Sequence, residues 1–204
     1  MNRLIFVVRK VALFACLLSL SACSLLQPKP LVSRPIEQLL LAPNSAPYYG
    51  YLTQSVRFRY GDIDQSLLFQ TELTPSHILM IALDPLGVPL FELRWDGEKA
   101  DVIERIPLDK RLDVRRILLD FQFSLWQQQD LALHFAPLGL QITTSAQKRV
   151  ISSSSGEHIS INSSYNSGQV PTQLSLIQHD LGYQLDIETI EADIEQPTTP
   201  ILSQ

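Results

Sequence analysis

Along most of the chain the apolar positions recur at every second residue. Val56, Phe58 and Tyr60 alternate with Arg57 and Arg59, and Leu67, Phe69, Thr71 and Leu73 continue the theme, which is the pattern of strands with one buried face. Ile78 to Leu83 is apolar at every position, so the second face of that strand is expected to be covered as well. Leu90 to Trp95 puts Phe91, Leu93 and Trp95 on one side and Glu92 and Arg94 on the other. Asp96-Gly97 then predicts a hairpin turn, because both residues tolerate positive φ, and Ala100 to Ile106 returns from it. Further strands are predicted over Gln147 to Ile151, Glu157 to Ser163, Thr172 to His179 and Tyr183 to Ile194, with Asp180-Leu181-Gly182 as a turn. In the last strand Tyr183, Leu185 and Ile187 share one parity and Ile190, Ala192 and Ile194 the other, so a β-bulge is expected near Thr189.

The period changes once. After Asp109 or Asp113 as a start signal, Val114, Ile117, Leu118, Phe121 and Leu125 fall at helical spacing, which predicts a helix to about Gln128, after which strands resume. Leu119, Phe123 and Trp126 widen its apolar surface beyond one stripe, so the helix is expected to touch partners on more than one side. The architecture that follows is mainly β: a long antiparallel sheet, curled to enclose one face, with a helical lid across its mouth. The space beneath is expected to be a hydrophobic cavity, with Val114, Leu118, Phe121, Leu125 and Trp126 on the lid side and Phe91, Leu93 and Trp95 on the sheet side. Such a cavity suits acyl chains or another long apolar molecule.

The first residues carry a different signal. A basic stretch with Arg3, Arg9 and Lys10 leads into the apolar segment Val11 to Leu20 and the small residues Ser21 and Ala22, the layout of an export signal. Arg9 and Lys10 interrupt the apolar run, so a cleaved signal over residues 1–22 fits better than a span, which needs about 20 apolar residues. Leu20-Ser21-Ala22-Cys23 resembles the lipobox of bacterial lipoproteins, which implies cleavage before Cys23 and acylation of its thiol; the alternative is an ordinary secretory signal with an incidental cysteine. Several acyl chains would make the anchor close to permanent. Cys16 would leave with the signal, so no thiol would remain for a disulfide. Ser24, in place of the aspartate that retains many lipoproteins in the inner membrane, implies the periplasmic face of the outer membrane.

Residues 23–47 hold Pro28, Pro30, Pro35, Pro43 and Pro47, with only Ile36 to Leu41 able to make a short helix, and are expected to form a tether. Residues 48–195 are then one folded domain, expected to be a monomer, and 196–204, with Pro197 and Pro200, a frayed tail. Net charge is −5, and loss of Arg3, Arg9 and Lys10 with the signal takes it to −8. An acidic chain without a basic cluster argues against nucleic acid and against charge-driven membrane binding.

No sequence signature of catalysis is present: there is no Gly-x-Ser-x-Gly elbow, no His-Glu-x-x-His, no phosphate-binding glycine loop and no cysteine nucleophile. His77, His134, His158 and His179 are scattered singly and are expected to be surface or strand residues, with no metal or cofactor. Ser152 to Ser155 is expected to be a turn, and Asp186, Glu188, Glu191, Asp193 and Glu195 the wet face of a strand.

Two stretches carry a family resemblance. Asp84-Pro85-Leu86-Gly87-Val88-Pro89-Leu90-Phe91-Glu92-Leu93 with Trp95-Asp96-Gly97, and Arg116-Ile117-Leu118-Leu119-Asp120-Phe121-Gln122-Phe123-Ser124-Leu125-Trp126, resemble bacterial lipoproteins often encoded beside aryl-polyene-type fatty-acid biosynthesis genes. That family in turn is similar to LolB, the outer-membrane receptor that accepts lipoproteins from the periplasmic carrier LolA. The resemblance implies an incomplete β-barrel with a helical lid over a hydrophobic cavity. It also implies that Leu86, on the turn Pro85-Leu86-Gly87, enters the membrane; Asp84 stands where LolB has asparagine. The alternative for Leu86 is a cap on the core. The expected function is a lipoprotein that takes an acyl or polyene-lipid cargo from a LolA-like carrier to the outer membrane, and is not an enzyme. The alternative is a structural or assembly lipoprotein that docks an envelope protein and holds no ligand, and a third reading, an acyl-transfer or hydrolytic enzyme, is disfavoured by the missing motifs.

Overall fold

A computed structural model describes residues 35–107, 113–166 and 168–197 of the chain. The expected signal, Cys23, the first part of the tether, Asp109 and most of the tail lie outside the described residues. In chain order the elements are β1 (Tyr49–Tyr60), β2 (Ile63–Leu73), β3 (Ile78–Leu83), β4 (Pro89–Trp95), β5 (Ala100–Glu104), α1 (Val114–Leu125), α2 (Gln128–Phe135), β6 (Gln141–Ser145), β7 (Lys148–Ser153), β8 (Gly156–Ser164), β9 (Gln173–Gln178) and β10 (Tyr183–Glu195).

The ten strands form one antiparallel sheet in the order β5-β4-β3-β2-β1-β10-β9-β8-β7-β6. It consists of two five-strand meanders, β1 to β5 and β6 to β10, joined where the first strand pairs with the last. β5 and β6 do not pair with each other, so the sheet is an incomplete barrel, as the alternation and the resemblance imply. The β1–β10 seam runs from Tyr49 opposite Glu195 to Tyr60 opposite Tyr183. Its register slips by one residue at Ile190, since Gln54 faces Thr189 and Thr53 faces Glu191, which is the bulge expected near Thr189. Beyond the bulge β10 pairs with β1 alone, and Ile190 stays exposed.

The inward row is mostly apolar: Leu52, Val56 and Phe58 of β1, Phe69 and Leu73 of β2, Ile78, Met80 and Ala82 of β3, and Phe91, Leu93 and Trp95 of β4 are all buried, with Gln54 and Thr71 as buried polar members. Ile151, Ile159, Ile161, Leu174 and Leu176 continue it in the second meander. The outward row of β3 departs from expectation, since Leu79, Ile81 and Leu83 are only half-buried. Their flanks explain this, for Glu72, Gln70, Arg94 and Glu92 stand beside them on β2 and β4 and shield them with alkyl stems.

Helix α1 starts at Asp113, whose carboxylate accepts from the Arg115 amide at 3.1 Å, the N-cap that satisfies a free donor of the first turn. It is buried on nearly every side, including Leu118, Leu119, Phe121 and Phe123, as its wide apolar surface predicts. Trp126 leaves it in extended backbone. Strands do not resume at once: α2 intervenes, burying Leu131 and Phe135, followed by a 3-10 turn at Ala136–Leu138. Leu131, Leu133 and Phe135 alternate at strand spacing in this eight-residue segment, so its pattern does not announce a helix. Phe135 meets Phe123 of α1 with ring centroids 4.8 Å apart.

The expected tether requires the largest correction. Its described part is not a free linker, because Ile36, Leu39, Leu40, Leu41 and Ala46 are buried, with Leu39 wholly inaccessible. It makes 3-10 turns at Ile36–Gln38 and Pro43–Ser45 and packs along α1. Each fully buried leucine contributes about 1.5 to 3 kcal/mol, which offsets the roughly 1 to 2 kcal/mol of backbone freedom lost per ordered residue. The folded domain therefore includes residues 35–47.

Candidate functional site

Segment 35–48, here called the strap, is fastened to α1 by polar groups that have nowhere else to bond. Gln122, fully buried in mid-helix, accepts from the Leu41 amide and donates to the Leu41 carbonyl, both at 2.9 Å. The same carbonyl accepts from Trp95 Nε1 at 2.8 Å, and Trp126 Nε1 donates to Ser45 Oγ at 2.9 Å. At the other end Glu37 pairs with Arg115 at 3.3 Å. The strap thus runs beside α1 from its first turn to its last, and two tryptophans foreseen as core or cavity wall serve to anchor it.

Beneath α1 lies an apolar cleft. Ile117 and Phe121 roof it, and Gln54, Val56 and Phe58 of β1, Leu67 and Phe69 of β2, Met80 of β3, and Leu185 and Ile187 of β10 line it. Nine of these ten residues are apolar, and Gln54 turns its amide away to Thr189 Oγ1 at 3.2 Å. A recess of similar size adjoins it, sharing Phe58, Ile117 and Leu185 and reaching Tyr60, Leu181 and Tyr183 at the end of the sheet. Each holds about 40 Å³, room for about three waters at roughly 10 to 15 Å³ of such space each. A groove of about 560 Å³ on the outer face is lined by Ser55, Arg57, Asn162, Ser175, Asp186 and Glu188 among others, and offers little to an acyl chain.

Of the residues expected to form lid and cavity, Phe121 lines the cleft. Val114, Leu118, Trp126, Phe91, Leu93 and Trp95 are buried but do not line it, although Phe91 and Trp126 pack against its Phe69 and Phe121, and Leu125 is half-buried at the helix end. Most of the cleft comes instead from β1, β2 and β10. Their alternation marked the inward residues, but only the register of the seam shows which of them face the helix.

The turn between β3 and β4 projects Leu86 into solvent, 89% exposed, which removes the alternative that it caps the core. Asp84 builds the turn: its carboxylate accepts from the amides of Leu86 at 2.8 Å and Val88 at 2.9 Å, the bonds an asparagine oxygen would also make. Gly87 completes it at φ +84°, where a side chain would be strained. Pro85, Gly87 and Val88 beside Leu86 are exposed as well.

Two further polar groupings were not foreseen. Asp120, on the sheet side of α1, accepts from the Tyr183 hydroxyl, and burial pushes its carboxyl up to about 7, against the lowering effects of Tyr183, Arg116 and Gln178. Its other oxygen has no hydrogen-bond partner among the described residues. His158 and His179 are not single, as expected, but sit side by side, on β8 and just after β9, with carboxylates crosswise. His158 Nδ1 meets Asp180 at 2.8 Å, and His179 Nε2 meets Glu157 at 3.3 Å. His158 also meets Ser153 Oγ, and His179 meets Ser160 Oγ. The adjacent pairs Glu157-His158 and His179-Asp180 were the available signal, but only the β8–β9 register brings them together. Among the described residues no cluster of three or more His, Cys, Asp or Glu could hold a metal, and no helix is long and apolar enough to cross a membrane.

Comparison with known proteins bears on the whole sheet. No curated protein matches the chain. A family of proteins of unknown function, DUF3261, matches residues 51–191, from the start of β1 to the bulged half of β10, and the chain belongs to that family.

Proposed function

We propose that this protein is an outer-membrane lipoprotein, anchored through Cys23 on the periplasmic side, that binds the acyl chains of a lipid or lipoprotein and helps deliver them to the membrane. The observation that carries this reading is the cleft under Ile117 and Phe121, whose lining is apolar apart from one residue. As it stands the cleft is too small for an acyl chain, so binding requires α1 to move. The helix is fastened unevenly. Gln122, the Phe123 carbonyl held by Arg149, and Trp126 secure its C-terminal half by buried groups, whereas the first turns, which carry Ile117 of the roof, are half-buried and tied to the strap by the surface pair Arg115–Glu37. Opening would therefore lift the first turns and join cleft and recess into one apolar trough. Leu86, exposed on its turn, would meet the lipid surface.

The test uses the full chain with Cys23→Ser, to remove the anchor while leaving the sheet unchanged. Native mass spectrometry is expected to show a bound fatty acid, lysophospholipid or diacylated lipopeptide, lost when Phe69→Trp fills the cleft. Absence of all three from folded protein would overturn the proposal in favour of a docking lipoprotein without ligand. That second reading rests on the rest of the interior, which Trp95, Trp126, Phe123 and Phe135 fill with their own side chains.

A further inference from the structure

We propose that Ser153 is a nucleophile toward carboxylic esters, with His158 as its general base and Asp180 as the residue that positions the imidazole. The arrangement begins with a bulge. Between β7 and β8, Ile151 faces Ile159 and Ser152 faces Glu157, so His158 is the extra residue on its strand. A bulge re-aims one side chain, and here it turns a buried imidazole toward two neighbouring turns.

The ring's hydrogen bonds fix its tautomer. Asp180 Oδ2 lies 2.8 Å from Nδ1, and an ionised carboxylate only accepts, so Nδ1 carries the proton of the neutral ring. Nε2 is then an acceptor, and Ser153 Oγ at 2.8 Å must donate to it. That is the protonation pattern a base needs to take a hydroxyl proton while a carboxylate steadies the resulting imidazolium. The Ser155 amide, 3.1 Å away, and the Ser155 hydroxyl, 2.8 Å away, contact the same oxygen and hold it toward the ring. The neighbouring grouping has the opposite polarity. Ser160 donates its proton to Glu157, so His179 Nε2 donates to Ser160 and activates nothing.

Access is open on the side of the turn. Ser153 is half-buried, Ser154 and Ser155 are exposed, and a side chain built at Gly156 would meet no atom within 4 Å. In the reaction Ser153 Oγ would bond to the acyl carbon as its proton passes to His158 Nε2. The carbonyl oxygen, taking the electron pair of the double bond, would be received by the amide of Ser154, the residue after the nucleophile. Collapse would expel the alcohol, which takes the proton back from His158. Water, deprotonated by the same nitrogen, would then release the acid and restore Ser153. Leu181, directly after Asp180, lines the recess that adjoins the cleft, so the favoured acyl group is apolar. This preference, but not the chemistry, rests on the acyl-binding reading above.

The experiment is covalent labelling of the full chain in non-ionic detergent with an alkyl fluorophosphonate, mapped by peptide mass spectrometry, beside hydrolysis of p-nitrophenyl acetate and decanoate. Label is expected on Ser153 and not on Ser154 or Ser155. It is expected to disappear in Ser153→Ala and to fall at least a hundredfold in rate in His158→Ala. Asp180→Asn, in an exposed turn, is expected to slow labelling at least tenfold and to change its pH profile, which loss of a merely structural clamp would not do. Unlabelled Ser153 in folded protein, or labelling indifferent to His158, would overturn the proposal and leave the hydrogen bonds as a clamp between two turns. Hydrolysis of acetate and decanoate at equal rates would uphold the nucleophile while removing the apolar preference.

Discussion

Gln122 holds Leu41 as a neighbouring strand would, accepting from its amide and donating to its carbonyl at 2.9 Å in each case, although the two lie 81 residues apart and one contact is a side chain in mid-helix. A primary amide can do this because it presents donor and acceptor side by side, as a peptide group does. The strap is thereby made part of the fold, and the segment that leads toward Cys23 is fixed beside α1.

Replacing Gln122 should therefore release the strap. In Gln122→Leu the Leu41 amide loses its partner in a buried place, while its carbonyl keeps Trp95 Nε1. A loss of roughly 1 to 3 kcal/mol is expected, read by urea denaturation, together with faster proteolysis between residues 35 and 47. Unchanged stability with unchanged proteolysis would show that the strap is held by leucine burial alone.

Leu86→Glu should leave the fold intact. The side chain is 89% exposed, and surface changes of this kind usually stay within about 0.5 kcal/mol. Binding of the Cys23→Ser chain to phosphatidylethanolamine–phosphatidylglycerol vesicles should weaken roughly tenfold to a hundredfold, the equivalent of losing one buried leucine. A variant that floats with vesicles as the parent does would remove Leu86 from membrane contact.

Asp120 should make stability depend on pH in the direction opposite to most carboxylates. Its folded pKa is raised from 3.8 to about 7 by burial, so between those values the folded state holds a proton that the unfolded state has released. Its contribution is fully present below pH 3.8, declines as pH rises, and is lost once pH passes about 7. At about 1.4 kcal/mol per pKa unit, the span is roughly 4 kcal/mol at most. Asp120→Asn keeps an acceptor for the Tyr183 hydroxyl and cannot ionise. The difference in urea stability between variant and parent should therefore shift in favour of the variant by a few kcal/mol from pH 4 to pH 8. A difference independent of pH would mean that Asp120 titrates normally.

Gly50→Ala should weaken the seam of the sheet. Gly50 sits at φ +124°, and an added Cβ would lie 2.1 Å from the Asp193 carbonyl oxygen of the facing strand. Backbone strain of about 1 to 3 kcal/mol adds to that clash. A loss of at least about 2 kcal/mol is expected, with amide exchange accelerated first over Asp193 and its neighbours. A stable variant would show that the end of the seam is free to separate.

Much of this molecule could be read from residue order, because strand alternation is local. Phe91, Leu93 and Trp95 declare their face through Glu92 and Arg94, the clash of parity between Ile187 and Ile190 announces a bulge, and the crowded apolar surface of Val114 to Trp126 announces a helix packed on several sides. Other features depend on partners far along the chain. The prolines of residues 35–47 speak for a linker, and their composition gives no hint that Leu39 and Leu41 find a groove beside α1. Of the roof of the cleft Phe121 was legible and Ile117 was not, and the floor required the pairing of β1 with β10, more than a hundred residues away. Ser153, His158 and Asp180 are unremarkable residues in sequence, and they become a hydrogen-bonded chain only when two hairpin turns fall side by side. Periodicity determined which face of each element is buried, since burial follows from the geometry of a strand or helix by itself. Which groups then meet was decided by tertiary register, since hydrogen bonds need particular atoms within about 3 Å and nothing local encodes that.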